Sequence, residues 1–120
     1  EAEAIRYYDD GMGPDPAATL EDQGGELAAL VAEVRAAGAG IEIIAIPEKS
    51  FVVERSKYIG AYYAWLAAFA TEHRITVLRH VYDDADFRDG AHATREGAAR
   101  WTRALAPALN ATLPASTRQD

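Results

Sequence analysis

Apolar positions along this chain switch between short unbroken runs and longer stretches at helical spacing. Residues 5–8 are a short apolar and aromatic run that stops at Asp9-Asp10-Gly11-Met12-Gly13-Pro14, a dense turn signal, and they predict a buried strand followed by a loop. Over residues 19–37, Leu20, Leu27, Leu30, Val31 and Val34 recur at helical spacing, and Gly38 offers the left-handed residue that ends many helices. Gly24-Gly25 weaken the start of that helix. Ile41, Ile43, Ile44, Ala45 and Ile46, closed by Pro47, predict a strand covered on both faces. A loop over residues 48–53 leads into a second amphipathic helix over residues 54–72, marked by Tyr58, Ile59, Tyr62, Trp65, Leu66 and Phe69. Ile75, Val77 and Leu78 begin a third strand with room to run on to Val81. After the acidic loop 83–89, Ala98, Trp101, Leu105 and Leu109 define a last helix, with His92 or Thr94 near its start and Pro107 limiting its final turn.

Strand and helix thus alternate three times with short connections, and the expected architecture is a three-layer α/β domain, a parallel sheet of three strands with helices on both faces. Three strands make a thin sheet with a poorly covered edge, so a partial domain whose further strands lie in another segment or chain is expected. At 120 residues the chain fits one domain. Residues 5–110 carry it and 111–120 have the composition of a tail. Glu1-Ala2-Glu3-Ala4 looks like the spacer that yeast secretion leaders leave behind, and is set aside from the fold; a natural acidic N-terminus is the other reading. On the leader reading the protein is secreted or periplasmic, and Asn110-Ala111-Thr112 is a usable glycosylation sequon.

A formal charge of −7, with scattered Lys and Arg, argues against nucleic acid or an anionic membrane surface as a partner. With no cysteine there is neither a disulfide framework nor a thiolate site. No apolar stretch approaches the roughly 18–20 residues of a spanning helix.

In an α/β sheet the loops at the carboxyl ends of the strands gather into one crevice. The first such loop brings Asp9, Asp10 and Gly11, the second Pro47, Glu48, Lys49 and Ser50, and the third runs from Tyr82 through Asp83, Asp84, Asp86 and Asp89 to His92. The third contains Phe87-Arg88-Asp89-Gly90-Ala91-His92-Ala93-Thr94-Arg95-Glu96-Gly97. This stretch resembles the last block of SGNH (GDSL-type) hydrolases, Asp-x-x-His followed by a small or hydroxyl residue and a Gly in the final helix. The resemblance covers roughly residues 41–109. It implies the C-terminal half of an SGNH/flavodoxin-like domain that needs no cofactor and no metal. His92 would be general base and then general acid, and Asp89 would hold the imidazole, since a serine hydroxyl is a poor nucleophile until an imidazole takes its proton. The implied activity is ester hydrolysis or acyl transfer on a small-molecule or carbohydrate ester, with Asp10, Lys49 and Ser50 as substrate-binding candidates. More faintly, Ile43-Ile44-Ala45-Ile46-Pro47-Glu48-Lys49 is similar to the strand-Pro-x-Lys segment of SGNH-like polysaccharide O-acetyltransferases.

The sequence departs from that family at the nucleophile. It contains no Gly-Asp-Ser, its serines are Ser50, Ser56 and Ser116, and its only Asn, Asn110, is far from the crevice. Ser56 reads as a helix start. Losing one oxyanion donor alone costs about 10²–10³ in rate, so the chain by itself is expected to be inert as an esterase. A front half in a separate or missing segment, a front half on a complementing chain, and a non-catalytic descendant that binds all remain open. From a different class, Asp9, Asp10, Asp83, Asp84, Asp86 and Asp89 converging on one crevice would bind Mg²⁺ or Ca²⁺, although their spacing fits neither an EF-hand nor a phosphate loop. His73 and His80 have no spaced partners. Tyr58, Tyr62, Trp65 and Trp101 read as core rather than as a sugar platform.

Overall fold

A computed structural model describes residues 1–11, 13–79 and 82–112. The chain runs through α1 (Ala2–Gly11), α2 (Pro16–Ala36), β1 (Glu42–Ile44), α3 (Ser50–Arg55), α4 (Lys57–His73), β2 (Thr76–Leu78), a single 3-10 turn (Asp84–Asp86) and α5 (Arg95–Thr112). It is mainly helical. The only sheet among the described residues has two parallel strands, with Glu42 opposite Thr76, Ile43 opposite Val77 and Ile44 opposite Leu78.

The three-stranded, three-layer α/β expectation is therefore corrected on two counts. Residues 5–8 are not a strand but lie within α1, with the Ile5 amide donating to the Glu1 carbonyl at 3.1 Å. A four-residue apolar run does not separate strand from helix by periodicity, and Ala2, Glu3 and Ala4 are good helix formers that start the helix. The strand at residues 41–46 is also not covered on both faces. Ile41, Ile43 and Val77 pack on Val31, Phe69, Ala70 and Ile75 of the core, while Ile44 and Ile46 stand 38% and 65% exposed. The extension of β2 towards Val81 falls outside the described residues, as does most of the predicted tail.

The helices are set by local chemistry. Asp15 caps α2 by accepting from the Ala17 and Ala18 amides, and Pro16 occupies the first turn, where its missing N–H costs nothing. Gly38, at φ +74°, follows the end of α2. Gly24, which would weaken a lone helix, is buried where α2 meets α4; a Cβ there would sit 3.1 Å from the Trp65 indole. The expected 54–72 helix is divided in two. Ser56 accepts from the Ile59 amide and starts α4, and the expected loop from residue 50 is the short α3. Arg35 of α2 donates to the His73 and Arg74 carbonyls at 2.5 and 3.2 Å, so a guanidinium satisfies the C-terminal end of α4. α5 continues through Pro107 to Thr112. No helix among the described residues is long and apolar enough to cross a membrane.

The segment before α5 is closely tied to that helix. Asp86 is buried and paired with Arg100 of α5, the Thr94 amide donates to the Asp86 carbonyl at 2.7 Å, and the Thr94 hydroxyl caps α5 at the Gly97 amide at 3.0 Å. A Cβ on Gly97 would fall 2.8 Å from the Asp86 Cβ, 2.9 Å from its Cα, and onto its carbonyl oxygen. The obstructing atoms are mostly backbone and cannot rotate away. Gly97→Ala is therefore expected to destabilise the protein by about 1–3 kcal/mol, despite alanine's better helix propensity, and to lower the thermal midpoint. An unchanged or higher midpoint would show that this contact is not made.

Candidate functional site

Phe87 pairs with Ala93 in an antiparallel bridge, and the Arg88 amide donates to the His92 carbonyl at 2.8 Å. These bonds make residues 87–93 a small hairpin with Asp89-Gly90-Ala91-His92 at its tip. Its turn is closed by the Asp89 carboxylate. Oδ1 accepts from the Ala91 amide at 3.0 Å and from the His92 amide at 2.8 Å, an arrangement that short acidic side chains favour. The same carboxylate lies 2.9 and 3.0 Å from His92 Nδ1 through its two oxygens. The acidic residue and the imidazole thus meet. Gly90 is buried beneath them, where a Cβ would sit 3.1 Å from Ala4 Cβ and 3.3 Å from Val52 Cγ2; its carbonyl accepts from the Lys49 amide at 3.0 Å. This bond ties the hairpin to the start of α3.

His92 is exposed and borders two hollows. One, of about 420 Å³, is lined by Ala4, Tyr7, Tyr8, Asp89, Gly90 and Ala91; the other, of about 330 Å³, includes Ile46, Pro47, Tyr82, Phe87 and Trp101. The buried indole N–H of Trp101 meets no acceptor among the described residues. The backbone amides of His92 and Ala91, more than the imidazole, hold the Asp89 carboxyl down at about 2. Burial lifts the Tyr8 phenol to about 12, reinforced by the charges of Glu48, Tyr7 and Asp89. Burial also raises Glu48, against the hydrogen bond from the Tyr63 hydroxyl at 2.6 Å and the nearby Arg79 guanidinium, which lies 4.3 Å over the Tyr63 ring.

The other predicted residues disperse around this pair. Ser50 is held by Asp84, with its hydroxyl 2.6 Å from Oδ2 and its amide 2.8 Å from Oδ1, and these two bonds lower the Asp84 pKa. Lys49 lines a hollow shared with Phe51, Asp84, Asp89 and Gly90, so it lies beside the carboxylate of the pair. Asp10 lines a separate hollow with Tyr7, Tyr8, Gly11 and Tyr58. The Ser56 hydroxyl donates to Asp9 at 2.6 Å. His80 and Ser116 lie outside the described residues. Of the six acidic residues proposed as a metal crevice, Asp9, Asp83, Asp84, Asp86 and Asp89 are each engaged separately and Asp10 lines a hollow of its own, and among the described residues no group of three His, Asp or Glu side chains is placed to hold an ion. Sequence reasoning missed Tyr7 and Tyr8, which it assigned to a strand; their adjacency to Asp9-Asp10 was the available signal. It also placed Tyr58 and Tyr62 in the core, where they are only half-buried. The chain matches no family model, no curated protein and no solved structure.

Because the Asp89 pKa is lower in the fold than the ordinary 3.8, the folded hairpin binds this proton less readily than the open chain. Its contribution is complete above about pH 4 and is lost as the pH falls towards 2. A carboxyl ¹³C titration should give a midpoint near 2 for Asp89, and His92→Ala should leave that midpoint well below 3.8, since the two backbone amides remain. A return to the ordinary value in His92→Ala would mean that the imidazole, not the turn, sets it.

Proposed function

We propose that this chain is the acid–base portion of an ester hydrolase or acyl transferase of the SGNH kind, with the serine nucleophile contributed by another segment or chain. The observation that carries the reading is the Asp89 carboxylate on His92 Nδ1 at 2.9 Å, with the ring at the border of two hollows. A carboxylate on Nδ1 fixes that nitrogen as the protonated one and leaves Nε2 with its lone pair, the form a general base needs. His92 then accepts the proton of an attacking hydroxyl and returns it to the leaving alcohol, while Asp89 stabilises the imidazolium in between. Ser50 is a poor choice for the nucleophile: its hydroxyl already donates to Asp84, and it does not line either hollow at His92. Hydrolysis and transfer differ only in whether water or another hydroxyl accepts the acyl group. The open face at Ile44 and Ile46, beside Pro47 and the His92 hollow, suits a complementing segment. A secretory or periplasmic location goes with this reading.

Two measurements test it. In ¹⁵N spectra above neutral pH, His92 is expected in the Nδ1–H tautomer, and Asp89→Asn is expected to disturb that preference; an Nε2–H ring in the unmodified protein would remove the general base. Joined to a front segment bearing Gly-Asp-Ser, the protein should hydrolyse a short nitrophenyl ester. His92→Ala should then lower the rate on the order of 10³–10⁴-fold. Full activity in that variant would overturn the assignment.

A further inference from the structure

We infer that the hollow formed by Tyr7, Tyr8, Tyr58 and Asp10 is a binding site for a small organic cation of the quaternary ammonium class. The hollow measures about 480 Å³, within the size range of small-molecule sites. Tyr7 and Tyr8 are neighbours on α1 whose rings meet edge to face, with centroids 5.6 Å apart and planes at 85°, both line the hollow, and Tyr58 from the first turn of α4 adds a third aromatic side chain. The faces of aromatic rings are negative and attract cations without any hydrogen bond, which is what a methylated ammonium requires.

The charges around the rings have the matching sign. The Asp9 carboxylate is occupied by the Ser56 hydroxyl and the Tyr58 amide, but the Asp10 carboxylate has no hydrogen bond or ion pair among the described residues. Asp89 and Glu48 also act on Tyr8. No Lys or Arg lines the hollow, and the chain as a whole carries −7. The lining joins three tyrosine rings to one carboxylate without an ion-pair partner among the described residues, a combination that a cation satisfies and a neutral ligand does not. Tyr7 and Tyr8 also line the hollow that holds Asp89 and His92. If the acid–base reading above holds, the cation is the alcohol end of the ester, as in an acyl choline, with its carbonyl reaching towards His92.

The test uses the protein without any complementing segment, and binding rather than turnover as its readout. Choline and tetramethylammonium are titrated while the ring resonances of Tyr7, Tyr8 and Tyr58 are followed, with 3,3-dimethylbutanol, the uncharged isostere of choline, as the comparison. Both cations should shift these three rings, and the isostere should bind at least about tenfold more weakly. Tyr7 is 78% exposed, so Tyr7→Ala should fold normally; it should weaken choline about fivefold, and Asp10→Asn should weaken it too. Phosphatidylcholine vesicles that compete with choline would identify the source as a lipid headgroup, and failure to compete would identify a soluble ester. Equal binding of the isostere, shifts confined to other residues, or unchanged affinity in both variants would overturn the site. His92→Ala should leave choline binding intact, so loss of the esterase reading and loss of the cation site are separate results.

Discussion

A single carboxylate organises the candidate site. The oxygens of Asp89 accept from two backbone amides of their own turn and meet the ring nitrogen of His92. The hydrogen bonds from the amides close the turn and the ring contact uses the same carboxylate, so closing the turn and orienting the imidazole are one event. This explains why an exposed side chain has a well-defined geometry: the turn itself positions both groups. A pair that depended only on its mutual attraction at the surface would contribute little and would be screened by salt.

The turn in turn rests on the elements beneath it. Phe87 and Asp86 are buried on one side of the hairpin, Gly97 lets α5 approach the Asp86 backbone, and Arg100 pairs with Asp86 from the same helix. On the other side Gly90 lies against Ala4 and Val52, and its carbonyl is tied to Lys49. Helices α1, α3 and α5 therefore all converge on seven residues of hairpin. The two-stranded sheet contributes through Ile46 and Pro47, which follow β1 and line the hollow beside His92.

The parts of this arrangement that the sequence displays are those governed by local rules. Asp89, His92, Thr94 and Gly97 stand at spacings that a turn followed by a capped helix imposes, and Ser56 announces the start of α4 by the same capping chemistry. What local pattern could not show was the number of layers. Residues 5–8 have the composition of a strand, yet a strand needs a hydrogen-bonded neighbour, and the helical propensity of Ala2, Glu3 and Ala4 favours carrying them into α1. Likewise Ile44 and Ile46 are as apolar as Ile43, and nothing within the run says which of them a helix will cover. The roles of Ser50 and Asp84 were also hidden: both lay in the expected crevice, but their 34-residue separation gave no hint that they would bond each other.

Ser50 is bonded to Asp84 and Ser56 to Asp9, each at 2.6 Å, so both described hydroxyls donate to carboxylates rather than to an imidazole. Such bonds activate neither: a carboxylate of lowered pKa is a weak base, and both Asp84 and Asp9 are lowered chiefly by the serine hydroxyls themselves. Among the described residues His92 is the imidazole held by a carboxylate, and neither Ser50 nor Ser56 meets it. On the reading proposed above, this imidazole, held by Asp89 and bordered by one hollow of tyrosines and another of apolar and aromatic side chains, acts on a hydroxyl that comes from elsewhere. What favours that reading is that the hydroxyls of Ser50 and Ser56 already have their hydrogen bonds made.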